Sequence, residues 1–260
     1  MTKHVHGLSD DDSLAKTLAD QQFGFDVLEG LSNAPKQLSS KYFYDAEGSR
    51  LFSKITQLKE YYPTRVEASI LDTHKDALLD KLYGKKINLI DLGAGDGQKT
   101  MILLEHFAKN GLDVHFIPID ISETAIHGLL DTVKEKLPET SCEGLVSEYF
   151  QGIHWLNTQS EDRVNLVLFL GSNIGNFDKA QARSHLRRLW TVLRPDDLAL
   201  VGFDLKKDID LLLHAYNDAS GVTAQFNLNL LQRINRELGG NFDLDSFRHF
   251  ATYNVFSGAV

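Results

Sequence analysis

The sequence predicts an α/β fold, a doubly wound parallel sheet with a second, smaller domain, and three observations predict it. Apolar runs of six or seven residues alternate with longer stretches of helical period between about residues 64 and 204, the mark of repeated βαβ units. The first run ends in alternating glycines, Asp91-Leu-Gly-Ala-Gly-Asp-Gly97, and a helix opens directly after them. Beyond Asp204 the strand period disappears and helical patterns take over, so the tail belongs to something other than the sheet.

The elements follow in order. Residues 1–19 read as a polar, disordered tail. A weak helical pattern runs from Asp20 to Leu31 and stops at the turn Asn33-Ala-Pro35. Ser49 to Gln57 reads as a short helix, and Glu60-Tyr-Tyr-Pro-Thr-Arg65 breaks it. A longer amphipathic helix spans about Thr64 to Leu82. Strands are expected at Ile87–Leu92, Val114–Ile119, Glu143–Tyr149, Val164–Leu170 and Leu198–Phe203. Between them lie helices at Thr100–Ala108, from the cap Ser122 to Leu137, and from Asp178 to about Leu193. Asp178 with Gln181 has the spacing of a capping box. Asp208–Ala219 and Thr223–Leu238 read as two further helices, the second stopped by Gly239-Gly240. Residues 20–63 and 205–260 are thus expected to form a cap domain, and residues 64–204 the sheet domain.

Composition narrows the function. The chain has 260 residues, enough for a sizeable core without staples. Its formal charge of −9 argues against a nucleic-acid surface, because phosphate binding needs Lys and Arg in excess. The single cysteine, Cys142, excludes an internal disulfide. The N-terminus lacks an apolar stretch of signal-peptide length, and the apolar runs are too short to span a bilayer. The reading is a cytoplasmic monomer that acts on a small molecule, with no nucleic-acid or membrane partner. HExxH, a Cys/His cluster and a nucleophile elbow are all missing, which leaves metal-dependent hydrolysis and serine or cysteine catalysis unsupported.

The glycine loop is the sharpest signal. Gln98 stands between Gly97 and Lys99, so P-loop spacing fails. The GxGxG spacing is also a poor dinucleotide fingerprint. It does match the D/E-x-G-x-G-x-G loop of class I methyltransferases that use S-adenosyl-L-methionine (SAM). A plain strand-to-helix turn would not require three alternating glycines. Asp120 ends the second strand, 23 residues after Gly97, where a carboxylate can accept two ribose hydroxyls. Glu148 and Tyr149, expected at the third strand's end, suit the adenine: the acid for its amine, the ring for stacking. The fourth strand ends in Gly171-Ser-Asn-Ile-Gly-Asn176, where the methyl acceptor is expected. Asn173 either contacts that acceptor or serves a turn.

Five motifs in this order extend the match. They are Lys41-Tyr-Phe-Tyr-Asp-Ala-Glu-Gly-Ser-Arg-Leu-Phe52, Glu60-Tyr-Tyr-Pro-Thr-Arg65, the loop ending Lys99-Thr100, Gly171–Asn176, and Ala215-Tyr-Asn-Asp-Ala-Ser-Gly221. Together they closely resemble the histidine-specific Nα-methyltransferase family of ergothioneine biosynthesis, from about residue 30 onward. The resemblance implies a Rossmann-like SAM domain with a second, substrate-binding domain. It implies that Gly93, Lys99, Asp120, Glu148 and Tyr149 bind SAM, and that Tyr61, Asn176 and Tyr216 bind L-histidine. It also implies a further segment after the point where this chain ends, with a glutamate that reads the imidazole and the closing antiparallel strands. The chain is therefore read as truncated or as a short relative. Methylation of another small amine, and SAM binding without catalysis, are the competing expectations.

Methyl transfer from a sulfonium is an in-line displacement that needs a neutral, aligned amine. Hydroxyl and amide groups such as Tyr61, Asn176 and Tyr216 position an amine without adding positive charge. No residue is assigned as general base. Tyr44, Tyr61 and Tyr62 offer π faces to the growing cation.

Overall fold

A computed structural model of the chain describes residues 4–7, 12–156 and 162–260. Its elements, in chain order, are β1 (His4–Gly7), α1 (Asp12–Ser32), α2 (Ala46–Ile55), α3 (Tyr62–Leu82), β2 (Lys86–Leu92), α4 (Gln98–Lys109), β3 (Asp113–Asp120), α5 (Glu123–Lys136), β4 (Ser141–Val146), α6 (Tyr149–Leu156), β5 (Val164–Phe169), α7 (Lys179–Val192), β6 (Leu198–Val201), α8 (Ile209–Ala215) and α9 (Val222–Leu238). The chain divides into two compact units. A sheet unit comprises residues 1–8 and 63–205, and a helical unit residues 9–62 and 206–260. Among the described residues, no helix is long and apolar enough to cross a membrane.

The sheet has six parallel strands in the order β1-β4-β3-β2-β5-β6. Its central strands β2, β3 and β5 are largely apolar on both faces, as a sheet covered on both sides requires. Ile87, Leu89, Phe116, Leu166 and Leu168 face one layer with Leu103, Leu104 and Phe107 of α4 and Leu71 and Leu82 of α3. Ile90, Leu92, Ile117, Ile119, Val167 and Phe169 face the other, with Ile153 of α6 and Leu189 of α7. Strand order reverses between β2 and β5. In sheets of this kind ligands bind at such a switch point, outside the strands' carboxyl ends.

Two caps match their sequence signals. Ser122 Oγ accepts the Ala125 amide at 3.3 Å, opening α5. Asp178 and Gln181 form the full capping box of α7.

Other expectations are corrected. The tail expected at residues 1–19 lies partly outside the described residues. Where described, it holds β1, in register with Glu143–Val146, and the start of α1. Main-chain pairing with β4 needs no apolar pattern, so composition did not reveal it. The third expected strand ends at Val146 rather than Tyr149, and α6 follows. Ser147 donates the turn's amide to the Asp120 carbonyl at 3.0 Å. Tyr149 and Ile153, four apart, then share one face toward the core. The helix expected to reach Ala219 ends at Ala215.

The helical unit is built on aromatic rings. Phe23 and Val27 of α1 pack on Tyr42 and on Leu230 and Ile234 of α9. Leu51 and Ile55 of α2 pack with Tyr61, Leu212, Ala215 and Phe226. Asp45 explains part of its aromatic motif. Its carboxylate caps α2 at the Gly48 amide (2.7 Å) and receives Asn229 (2.8 Å) and Arg236 (2.6 Å) from α9.

Candidate functional site

The glycine loop leaves β2 at the switch point. Gly93, Gly95 and Gly97 all adopt positive φ, at 78°, 55° and 68°, a region open to glycine at little cost. Gly93 also requires glycine for space. A Cβ there would lie 2.6 Å from Asn173 Nδ2 and 2.9 Å from the Tyr149 hydroxyl. The loop, Tyr149 and Asn173 therefore meet. Gly95 has open space where its side chain would be, so its backbone is accessible to a ligand.

Acids anchor the loop. Asp120 accepts the Gly95 amide on one oxygen and the Ser122 amide on the other, both at 2.9 Å. Burial raises its pKa, and those backbone hydrogen bonds oppose the rise. Asp91 lies beneath the loop, buried, with the Thr100 hydroxyl donating to it. Burial pushes this carboxyl up to about 6, against the Thr100 hydrogen bond.

Lys99 sits in the first turn of α4. Its ammonium is 2.5 Å from Glu67 of α3, and Glu67 also accepts the Gly171 amide at 2.7 and 3.0 Å. Sequence reasoning missed Glu67. Its one local signal is position, two residues after the Glu60–Arg65 motif.

After β5 the chain turns through Ser172, the one non-glycine residue with positive φ among those described, at 55°. The Ser172 hydroxyl accepts the Asp204 amide at 3.1 Å. A short 3-10 turn, Asn173–Asn176, follows. Of the two readings left open for Asn173, the turn is seen: its amide donates to the Leu170 carbonyl at 3.3 Å, and its side chain reaches Gly93. Asn176 ends the turn, exposed.

The pair Glu148-Tyr149 is placed differently from the sequence reading. Glu148 is exposed ahead of α6, and its carbonyl accepts the Gly152 amide. The Tyr149 ring packs edge-on against Phe169, Phe177 and His185, with centroids 5.2 to 6.1 Å apart.

In the helical unit, Tyr61 and Tyr216 meet edge to face at 5.8 Å. Tyr61 is buried, and the Tyr216 carbonyl accepts His249 Nε2 at 2.8 Å. Tyr44 packs against Phe52 and Phe226. Tyr62 does not offer an open face: the Lys207 ammonium lies 4.3 Å from its ring centre and donates to its hydroxyl at 3.0 Å.

These residues fit a nucleoside cofactor bearing an amino acid. The loop has open space at Gly95 for a ligand's close approach, the Asp120 oxygens keep acceptor capacity for hydroxyls, and the Lys99 ammonium suits a carboxylate.

Residues 23–260 match the family model described as histidine-specific, SAM-dependent methyltransferase. The chain is 39% identical to a histidine N-alpha-methyltransferase of Mycolicibacterium smegmatis, over 93% of this chain and 74% of that one. It is 38% identical to the protein of that name from Mycobacterium tuberculosis, over 88% and 70%. It is 32% identical to ergothioneine biosynthesis protein 1 of Schizosaccharomyces pombe, over 84% of this chain and 29% of that one.

Proposed function

The chain belongs to the histidine-specific, SAM-dependent methyltransferase family, and from that premise we propose that it methylates the α-amino nitrogen of L-histidine. Three successive transfers give hercynine, the first intermediate of ergothioneine biosynthesis. The observation that carries the reading is the glycine loop locked to Asp120 at the switch point of the sheet.

When bound, SAM supplies a methyl group on a sulfonium, which a neutral amine attacks in line. The Asp120 carboxylate accepts ribose hydroxyls. Gly93 and Gly95 are assigned to the cofactor, with open space at Gly95 for its close approach. Lys99 pairs with its carboxylate. Glu148 and Tyr149 flank the adenine, with the Tyr149 ring held edge-on by Phe169 and Phe177. Tyr61, Tyr216 and Asn176 are assigned to histidine. Their hydroxyl and amide groups bind without positive charge, which keeps the amine's lone pair available. Its proton leaves to water. Tyr44 and Tyr61 supply π faces for the accumulating cation, a role that Lys207 takes from Tyr62.

The test is turnover of the purified protein with SAM against each amino acid, read by mass spectrometry. Mono-, di- and trimethylated histidine is the expected result. Methylation of a different amine with none on histidine would overturn the substrate. SAM binding with no product from any amine would reduce the protein to a binder. Light scattering should give the mass of a monomer.

A further inference from the structure

Glu67 is held by its surroundings more tightly than a surface acid of a helix needs to be. Its carboxylate lies between the Lys99 ammonium, 2.5 Å away, and the Gly171 amide, which donates to both oxygens at 2.7 and 3.0 Å. A third side is closed by Gly202, where a Cβ would fall 1.9 Å from Glu67 Oε1. Only glycine there leaves room for the acid. Glu67 thus joins the first turn of α4 to the segments that follow β5 and β6, all within the sheet unit.

We propose that Glu67 is a positioning residue for the cofactor, acting through Lys99. The inference rests on the cofactor role of Lys99 given above. A lysine ammonium has three donors on a flexible stem. One donor is committed to Glu67, which cannot swing because Gly171 and Gly202 fix it. The other two face a carboxylate ligand from a set position. Ordering the stem in advance removes that cost from binding. The Gly171 amide, bonded to the same carboxylate, offsets its charge and holds the head of the 171–176 loop.

Glu67→Gln keeps size and can still accept the Gly171 amide. It loses the charge, so the ammonium keeps a neutral acceptor in place of its ion pair. Wild type, Glu67→Gln, Lys99→Met and the double variant are titrated with SAM by calorimetry and assayed with histidine. Glu67→Gln should weaken SAM binding about tenfold, with the change in KM for SAM rather than in kcat or KM for histidine. In the Lys99→Met background it should add nothing, as two residues acting as one unit require. Glu67→Asp takes its place if the Gln variant does not fold. Unchanged SAM affinity in Glu67→Gln overturns the inference. So does an equal loss in both backgrounds, which would mean Glu67 acts through the fold alone. A wild type that binds no SAM, or a Lys99→Met variant with full affinity, overturns the cofactor assignment first and this inference with it.

Discussion

The Asp120 carboxylate accepts the Gly95 amide at 2.9 Å, so the acid that ends β3 is part of the wall of the glycine loop. It shapes the loop, and under the proposed function it also receives the cofactor's hydroxyls. Asp120→Ala removes both and should cost tenfold to about a hundredfold in SAM affinity, the range for losing hydrogen bonds to a charged group. Asp120→Asn keeps an acceptor and should lose less. Calorimetric titration measures both, and a full-affinity alanine variant would remove Asp120 from the site.

Gly93 and Gly95 differ in a way that stability can read. Both have positive φ, which costs a side chain about 1–2 kcal/mol. Gly95 has room for a methyl group, whereas at Gly93 the same atom collides with Asn173 and Tyr149. Gly95→Ala should therefore lose only the conformational cost. Gly93→Ala should lose more, and should also displace the two side chains above the loop. Thermal unfolding of the pair tests this, at about 2–4 °C per kcal/mol for a chain near this size. Equal midpoints would mean that Asn173 and Tyr149 are not held over Gly93.

What the sequence revealed was local or carried by resemblance. Ile87–Leu92 and Val164–Leu170 read as strands because burial on both faces makes them largely apolar, with Asn88, Asp91 and Asn165 as the polar members. The capping box of Asp178 and Gln181 lies within one turn. The glycine loop and Asp120 were legible because strand ends fix their spacing. Glu67 meets Gly171 across 104 positions, and a pairing brought about by sheet packing leaves no spacing to read. Tyr61 and Tyr216 came only from the family motifs. Tyr149 misled because its apolar neighbourhood has a helical period that a short strand can imitate.

Asp218, in the Ala215–Gly221 motif, is a structural acid. Its oxygens accept the first two amides of α9, Val222 at 2.9 Å and Thr223 at 2.7 Å, and the Ser220 hydroxyl at 2.6 Å. Burial alone would raise its pKa. The hydrogen bonds from Ser220, Thr223 and Val222 win and hold it well below the ordinary carboxylate range. A carboxyl lowered by folding contributes stability that is whole above its unfolded value, near 4. That contribution is lost as pH falls below it. Asp218→Asn should cost about 1–3 kcal/mol at neutral pH and flatten the acid limb of the stability profile. Denaturant unfolding between pH 2.5 and 7 checks both; a limb unchanged in the variant would clear Asp218 of that role.

His185 of α7 sets a second pH limit with the opposite charge logic. Its ring is fully buried, stacked on Phe177 at 5.3 Å and 4.6 Å from Phe169. Burial, helped by Arg188, pushes its pKa down to about 4, so the folded chain holds it neutral. Unfolded histidine takes up a proton near pH 6.5. Between those values the unfolded chain binds the extra proton, and stability falls as pH drops through that window. The loss is bounded at about 3 kcal/mol by the shift. The consequence reaches the site, because the Tyr149 ring meets His185 edge-on at 6.0 Å and its hydroxyl lies over Gly93. His185→Leu keeps an apolar occupant without a titrating group. Between pH 6.5 and 4.5 the wild type should lose stability relative to the leucine variant; Asp91, which burial pushes up to about 6, adds stability as pH falls through that window, equally in both proteins. Parallel profiles in the two proteins would clear His185 of that role.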